Sequence, residues 1–165
     1  VCNGFQLLVK LGLLPCLDGK RFERQVSLTN NASARYEDRW VRLKVNPLSP
    51  CVFTKGLGHL AMPVRHGEGR LVAPEDAVLD RLEQENLVAL YYADEHSGEP
   101  TMEYPANPNG SPRGIAGLTD PTGRVLGLMP HPEAFNHRSN APLWTRGDYE
   151  MPGTVLFENA VRYLR

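Results

Sequence analysis

The sequence predicts an α/β sandwich in a single domain, and three patterns lead to that prediction. An apolar helical segment comes first, a stretch rich in strands fills the middle, and an amphipathic helical segment comes last. The length of 165 residues suits one domain, and 41% hydrophobic with 22% charged residues is ordinary for a globular protein. Helices packed on a sheet bury the apolar faces of both kinds of element.

The N-terminal half predicts one helix followed by three strands. Residues 3–14 are predicted to form a buried helix, because their side chains leave little polar surface. Residues 24–29 and 36–46 are predicted to be strands joined by a turn at Asn30-Asn31. In the second of them charged and apolar residues alternate, which indicates one wet and one packed face. A third short strand is predicted at residues 59–65.

The C-terminal half predicts two helices, a strand and a hairpin. Residues 75–85 are predicted to form a surface helix and residues 87–93 a strand. Residues 114–129 are predicted to be a β-hairpin, and residues 134–152 to be loop. Residues 154–164 are predicted to form an amphipathic helix with one packed face. The apolar residues in register on that face are Phe157, Ala160, Val161 and Leu164.

Composition and charge argue against several classes of function. The formal net charge is −1, so no nucleic-acid footprint is indicated. No apolar run is long enough to span a bilayer. The cysteines Cys2, Cys16 and Cys51 form no CxxC motif, which is typical of a reduced cytoplasmic protein. The histidines outside the motifs below have no metal-ligand spacing, so no metal site is expected.

Cys2 is a candidate nucleophile because it lies one residue before the first predicted helix. There the helix dipole and free N–H groups are expected to lower the pKa of its thiol. Gly4 would permit a tight turn, and the N–H of Asn3 could contribute to an oxyanion hole. The C-x-G pattern alone is a weak signal, and a buried inert cysteine is the alternative.

His131 and Glu133 favour the catalytic alternative. They follow an apolar strand, and the flanking prolines are expected to keep the chain extended. Residues two apart in an extended chain point the same way, so Glu133 could hydrogen-bond the imidazole and fix its tautomer. Together with Cys2 the two residues predict a Cys-His-Glu triad.

The same residues carry a resemblance to a known family. Residues 2–6 (CNGFQ) and 130–133 (PHPE) resemble the nucleophile elbow and the His-x-Glu of class I (triad) glutamine amidotransferases. Residues 66–70 (HGEGR), 104–112 (YPANPNGSP) and 129–133 (MPHPE) are similar to the glutaminase subunit or domain of phosphoribosylformylglycinamidine synthase, an enzyme of purine biosynthesis. The resemblance covers essentially the whole chain, and residues 104–112 are its most specific part.

The resemblance implies a fold and a set of site residues. The fold would be the three-layer, flavodoxin-like α/β sandwich of this family, with its N-terminal strands missing from residues 1–165. Cys2 would attack the carboxamide of glutamine, His131 would transfer the proton, and Glu133 would orient His131. The substrate-binding candidates are Asn3, Gln6, His66, Gly67 and Glu68.

The resemblance also implies partners. Ammonia would pass to the synthase subunit or domain, which would hold ATP and magnesium, so no cofactor is expected in this chain. Tyr104–Pro112 is expected to be a fixed surface loop that faces the synthase. Because the chain begins on the cysteine motif, we expect it to be the C-terminal part of a longer protein with little activity alone. The alternatives are a non-catalytic docking or pseudo-enzyme fragment, the glutaminase of another amidotransferase, and a related cysteine hydrolase.

Overall fold

The structure is a computed structural model that describes residues 1–146 and 151–165, and it contains three helices and seven strands within those residues. The helices are α1 (Asn3–Lys10), α2 (Asp76–Gln84) and α3 (Val155–Tyr163). The strands are β1 (Ser27–Asn30), β2 (Glu37–Val45), β3 (His59–His66), β4 (Glu68–Val72), β5 (Val88–Ala93), β6 (Ile115–Thr119) and β7 (Leu126–Leu128).

The strands form a five-stranded sheet and a separate ribbon. The sheet has the order β3-β2-β5-β6-β7, and each neighbouring pair is antiparallel. The predicted hairpin is present as β6 and β7. The turn predicted at Asn30-Asn31 does not join β1 to β2 in one sheet, because β1 pairs with β4 instead. Residues 68–72 were not predicted as a strand, since a single strand of five residues has no clear period.

Two hydrophobic cores give the molecule three layers. One core packs α1, α2 and the β1-β4 ribbon against one face of the sheet, with Phe5, Leu82 and Leu118 among its members. The other core lies on the opposite face and includes Leu43 of β2 and Leu156 of α3. The predicted α/β sandwich is therefore confirmed.

The first and last helices differ from their predictions. Helix α1 ends at Lys10 rather than residue 14, because Gly12 has a φ of +66° and packs against the backbone of Phe22 and Glu23. Leu7 and Leu11 are exposed, so this helix is only half buried.

Helix α3 buries Leu156 instead of the predicted face. The residues of that predicted face that lie exposed are Phe157, Val161 and Leu164. Periodicity finds an apolar stripe on a helix, but it cannot tell which residues the neighbouring elements cover.

The segment 104–112 is not the surface loop that its composition predicts. Its first residue, Tyr104, is exposed, but Asn107, Asn109 and Ser111 are buried. Their side chains bond backbone groups: Asn109 Nδ2 donates to the Gly69 carbonyl at 2.8 Å, and the Leu71 N–H donates to Ser111 Oγ at 3.0 Å. Polar residues can be buried where hydrogen bonds satisfy them, so these side chains anchor the segment beneath β4.

In residues 1–146 and 151–165, no helix is both long and apolar enough to cross a membrane. No group of three or more His, Cys, Asp or Glu side chains within them is arranged to hold a metal ion. Residues 147–150 of the predicted loop lie outside the described residues.

Candidate functional site

Cys2 forms a strained elbow between the sheet and α1. Its backbone N–H donates to the carbonyl of Leu128 in β7 at 2.8 Å, and its carbonyl accepts from the N–H of Gln6 at 3.0 Å. Between these contacts Cys2 adopts φ 48° and ψ −109°, a conformation that costs a non-glycine residue about 1–3 kcal/mol. Gly4 lies inside α1 with open space beside it, so the elbow does not depend on that glycine as predicted.

The thiol of Cys2 is less acidic than its place at a helix N-terminus predicts. Burial raises the pKa of the Cys2 thiol above its ordinary value, although the N–H of Asn3 favours the thiolate. The nearby carboxylate of Glu133 raises this pKa further. The expected lowering of the Cys2 pKa is wrong, because desolvation changes this pKa more than the N-terminus of a short helix does. The Sγ atom lies 4.0 Å from the carbonyl oxygen of Arg65.

His131 and Glu133 form a closely coupled pair beyond the end of β7. The N–H of His131 donates to the carbonyl of Pro63 in β3 at 2.8 Å, which fixes the backbone. Glu133 lies in a single 3-10 turn rather than in an extended chain, and its Oε1 is 2.5 Å from His131 Nδ1. A carboxylate accepts only, so Nδ1 carries the proton. His131 Nε2 is buried and has no partner within residues 1–146 and 151–165.

The structure brings all eight predicted site residues around one cavity of about 630 Å³. Its lining is completed by Val1, Tyr36 and Arg65, which were not predicted as site residues. Gln6 joins two of the walls, since its Nε2 donates to the carbonyl of Glu68 at 3.1 Å. A second cavity of about 360 Å³ lies beside Arg39 and Pro105 and has no cysteine in its lining.

Asn31, predicted only as part of a turn, does not line the cavity but supports two residues that do. Its backbone N–H donates to the carbonyl of Gly67 at 2.9 Å, and its Nδ2 donates to the carbonyl of His66 at 2.8 Å. His66 Nδ1 lies 3.1 Å from Asn31 Oδ1. Burial lowers the pKa of His66 to about 4. No local pattern connects Asn31 to the site, because its partner His66 lies 35 residues away in the sequence.

The chain is similar to known proteins that are named as phosphoribosylformylglycinamidine synthase or as its subunit PurQ. The chain is 44% identical over 169 residues to the phosphoribosylformylglycinamidine synthase subunit PurQ of Dehalococcoides mccartyi, covering 100% of this chain and 62% of that protein. It is 44% identical to the same-named subunit of Methanococcus maripaludis, covering 99% of this chain and 64% of that one. The human phosphoribosylformylglycinamidine synthase is 39% identical across 81% of this chain and 11% of its own length. The chain thus spans a little under two thirds of the subunits it matches.

A solved structure and a family model agree with these relatives. The structure of PurLQS from Thermotoga maritima matches 99% of this chain and 59% of its own chain, with a TM-score of 0.62 and 30% identity. This likeness agrees with the predicted α/β fold. A family model described as a CobB/CobQ-like glutamine amidotransferase domain matches residues 1–164. With nearly every residue matched, the chain belongs to the CobB/CobQ-like glutamine amidotransferase domain family.

Proposed function

We propose that this protein releases ammonia from glutamine as the glutaminase part of phosphoribosylformylglycinamidine synthase. The observation that carries the proposal is a strained cysteine and a carboxylate-bound histidine at one cavity. The second nitrogen of that histidine has no partner among the residues that the structure describes. Strained backbone at a nucleophile is a recurrent feature of active sites. The names of the relatives support the particular synthase.

The reaction begins with a proton transfer from the Cys2 thiol to Nε2 of His131. The sulfur then attacks the carboxamide carbon of glutamine, and the N–H of Asn3 is placed to stabilise the oxyanion that forms. When the intermediate collapses, the C–N bond breaks and the nitrogen takes the proton from His131. Ammonia leaves, and a γ-glutamyl thioester remains on Cys2.

Water completes the cycle by hydrolysing the thioester. His131 takes a proton from the water, whose oxygen attacks the thioester carbon. The C–S bond breaks, the sulfur regains its proton from His131, and glutamate leaves. Glu133 stabilises the imidazolium in both halves because it accepts the hydrogen bond from Nδ1.

The raised thiol pKa of Cys2 agrees with this order of events. A half-buried thiol with a raised pKa is largely protonated at neutral pH, so it reacts slowly until a base removes its proton. His131 has that role only when a substrate positions the reacting atoms. The Cys2 thiol is therefore weakly reactive between turnovers.

Ammonia passes to a synthase that aminates formylglycinamide ribonucleotide with ATP, and ATP and magnesium bind to that synthase. A cytoplasmic location fits three free cysteines, two of which are buried.

The test is release of ammonia and glutamate from glutamine by the full-length protein with its synthase. Cys2→Ala should abolish release, whereas Cys51→Ala, in the second core and away from the cavity, should retain it. A chloroketone analogue of glutamine should label Cys2 ahead of Cys16 and Cys51, as read by peptide mass spectrometry. Release by the Cys2→Ala protein, or equal labelling of the three thiols, would contradict the proposal.

A further inference from the structure

His66 has a buried nitrogen that the proposed reaction does not use. The residue is only 3% exposed, lies at the end of β3, and contributes to the cavity that holds Cys2. Its Nε2 is buried and has no hydrogen-bond partner within residues 1–146 and 151–165. A buried polar nitrogen without a partner costs free energy, and a ligand that supplies the missing partner recovers it.

The contacts of Asn31 determine which tautomer His66 adopts. Asn31 Nδ2 donates to two carbonyls, of Arg35 at 2.9 Å and of His66 at 2.8 Å. Those two contacts fix the amide orientation, so Oδ1 is the atom that faces His66 Nδ1 at 3.1 Å. An amide oxygen only accepts, and therefore Nδ1 carries the hydrogen. The Nε2 atom of His66 is then a lone pair that can only accept.

We infer that His66 Nε2 accepts a hydrogen bond from an N–H group of glutamine, and that Asn31 is the positioning residue that keeps this nitrogen an acceptor. The inference rests on the proposed glutaminase function. Glutamine carries two groups of the required chemistry, the carboxamide NH2 and the α-ammonium. The lone pair of a neutral imidazole suits either group, whereas an imidazolium would repel the ammonium and could not accept from the amide.

The surroundings of His66 keep it neutral at physiological pH. Burial is the main cause of its low pKa of about 4, and the nearby His131 lowers it further. Glu37 lies opposite His66 in the β2-β3 pairing, and its negative charge raises the pKa of His66. The positive charge of Arg39 compensates much of this effect, because Arg39 forms an ion pair with Glu37 at 2.5 Å. Asn31 adds an uncharged partner, which holds the ring without favouring its protonation.

The kinetic test uses His66→Phe, which keeps a ring and removes both nitrogens. Loss of one hydrogen bond should raise KM for glutamine about three- to tenfold while kcat changes less. Hydrolysis of glutaramate, which lacks the α-amino group, identifies the donor. A KM increase with both amides assigns the carboxamide, and an increase with glutamine alone assigns the ammonium.

A second variant separates positioning from a purely structural role. Asn31→Asp places a carboxylate against Nδ1 and should raise the pKa of His66, so Nε2 becomes protonated as the pH falls. KM for glutamine should then rise between pH 8 and pH 5.5 by more than in the unsubstituted protein. Asn30→Asp, an exposed neighbour, is the matched control and should leave the pH profile unchanged. A lower melting temperature without the new pH dependence overturns the role of Asn31.

A spectroscopic experiment tests the inference without requiring that the His66 or Asn31 variants fold. In Cys2→Ala protein labelled with ¹⁵N-histidine, His66 should show a protonated Nδ1 and an unprotonated Nε2, and glutamine should shift the Nε2 resonance. The opposite tautomer, or no shift at saturating glutamine, overturns the inference. Normal ammonia release with an unchanged KM in His66→Phe overturns it as well and leaves the proposed function standing. No release by the unsubstituted full-length protein overturns both.

Discussion

Replacement of Asn109 by Ala should destabilise the protein rather than merely alter a surface. Asn109 is 0% exposed. Its Nδ2 donates to the Gly69 carbonyl at 2.8 Å and to Tyr92 Oη at 3.0 Å, and its Oδ1 accepts from the Ser111 N–H at 3.0 Å. Three hydrogen bonds at about 0.5–1.5 kcal/mol each give a loss of about 1.5–4.5 kcal/mol in the free energy of unfolding.

A value inside that range rather than at its top is expected, because all three abandoned partners remain buried but two of them keep a second contact. The Gly69 carbonyl keeps a longer contact from Ser111 Oγ at 3.5 Å, but the hydroxyl of the fully buried Tyr92 loses its amide partner. The Ser111 N–H still has Asn107 Oδ1 at 3.2 Å, which limits the cost there.

Urea denaturation of the full-length protein measures the change, with the exposed Asn30→Ala as the matched control. The control should stay within about 0.5 kcal/mol of the unsubstituted protein. An Asn109→Ala protein as stable as this control would refute the argument. Such a result would mean that the buried hydrogen bonds of Asn109 do not contribute to the stability of the fold.

Three further predictions concern the groups that line or support the cavity. The low pKa of His66, about 4 against 6.5 when unfolded, means that the unfolded chain binds the proton first as the pH falls. Stability should therefore decline by up to about 3 kcal/mol between pH 6.5 and pH 4, and His66→Phe should flatten that part of the profile in urea titrations. The raised pKa of the Cys2 thiol predicts that iodoacetamide alkylation, followed by mass spectrometry, accelerates beyond pH 8.5; a plateau near pH 7 would contradict this. Gly127→Ala would place a Cβ 2.1 Å from Cδ2 of Phe5 and should cost about 1–3 kcal/mol in thermal or urea unfolding, whereas Gly4→Ala meets open space and should not destabilise.

Short local signals predicted the candidate site residues, and the structure places them around one cavity. Cys2 lies immediately before a helix, and His131 and Glu133 are two residues apart, so neighbouring residues predict each relationship. The α/β order of elements was predictable for the same reason, since the period of a helix or strand is a local property. The predicted route to the His131–Glu133 contact was wrong, because a 3-10 turn, not an extended chain, brings the two residues together.

The supporting residues were not predictable because their partners lie far away in the chain. Asn109 bonds a carbonyl 40 residues earlier, and Asn31 bonds one 35 residues later. Asparagine and proline in short succession are typical of exposed turns, and nothing local distinguishes an amide that is buried against a distant carbonyl. The exposed face of α3 has the same explanation, since periodicity does not identify the neighbour.

The acidity of Cys2 depends on a local feature of the sequence and on burial by distant segments. The sequence correctly predicts a helix N-terminus at Cys2, where the N–H of Asn3 favours the thiolate. It cannot predict the burial that arises when β3 and the segment at His131 pack around the elbow, and desolvation has the larger effect on the pKa. A standing thiolate would react with any electrophile that entered the cavity. A protonated thiol depends instead on His131, 129 residues further along the chain. Glu133 holds that ring through Nδ1, and Nε2 has no partner in the described part of the chain. Under the proposed mechanism, the nucleophile is thus controlled by folding of the whole domain rather than by its own motif.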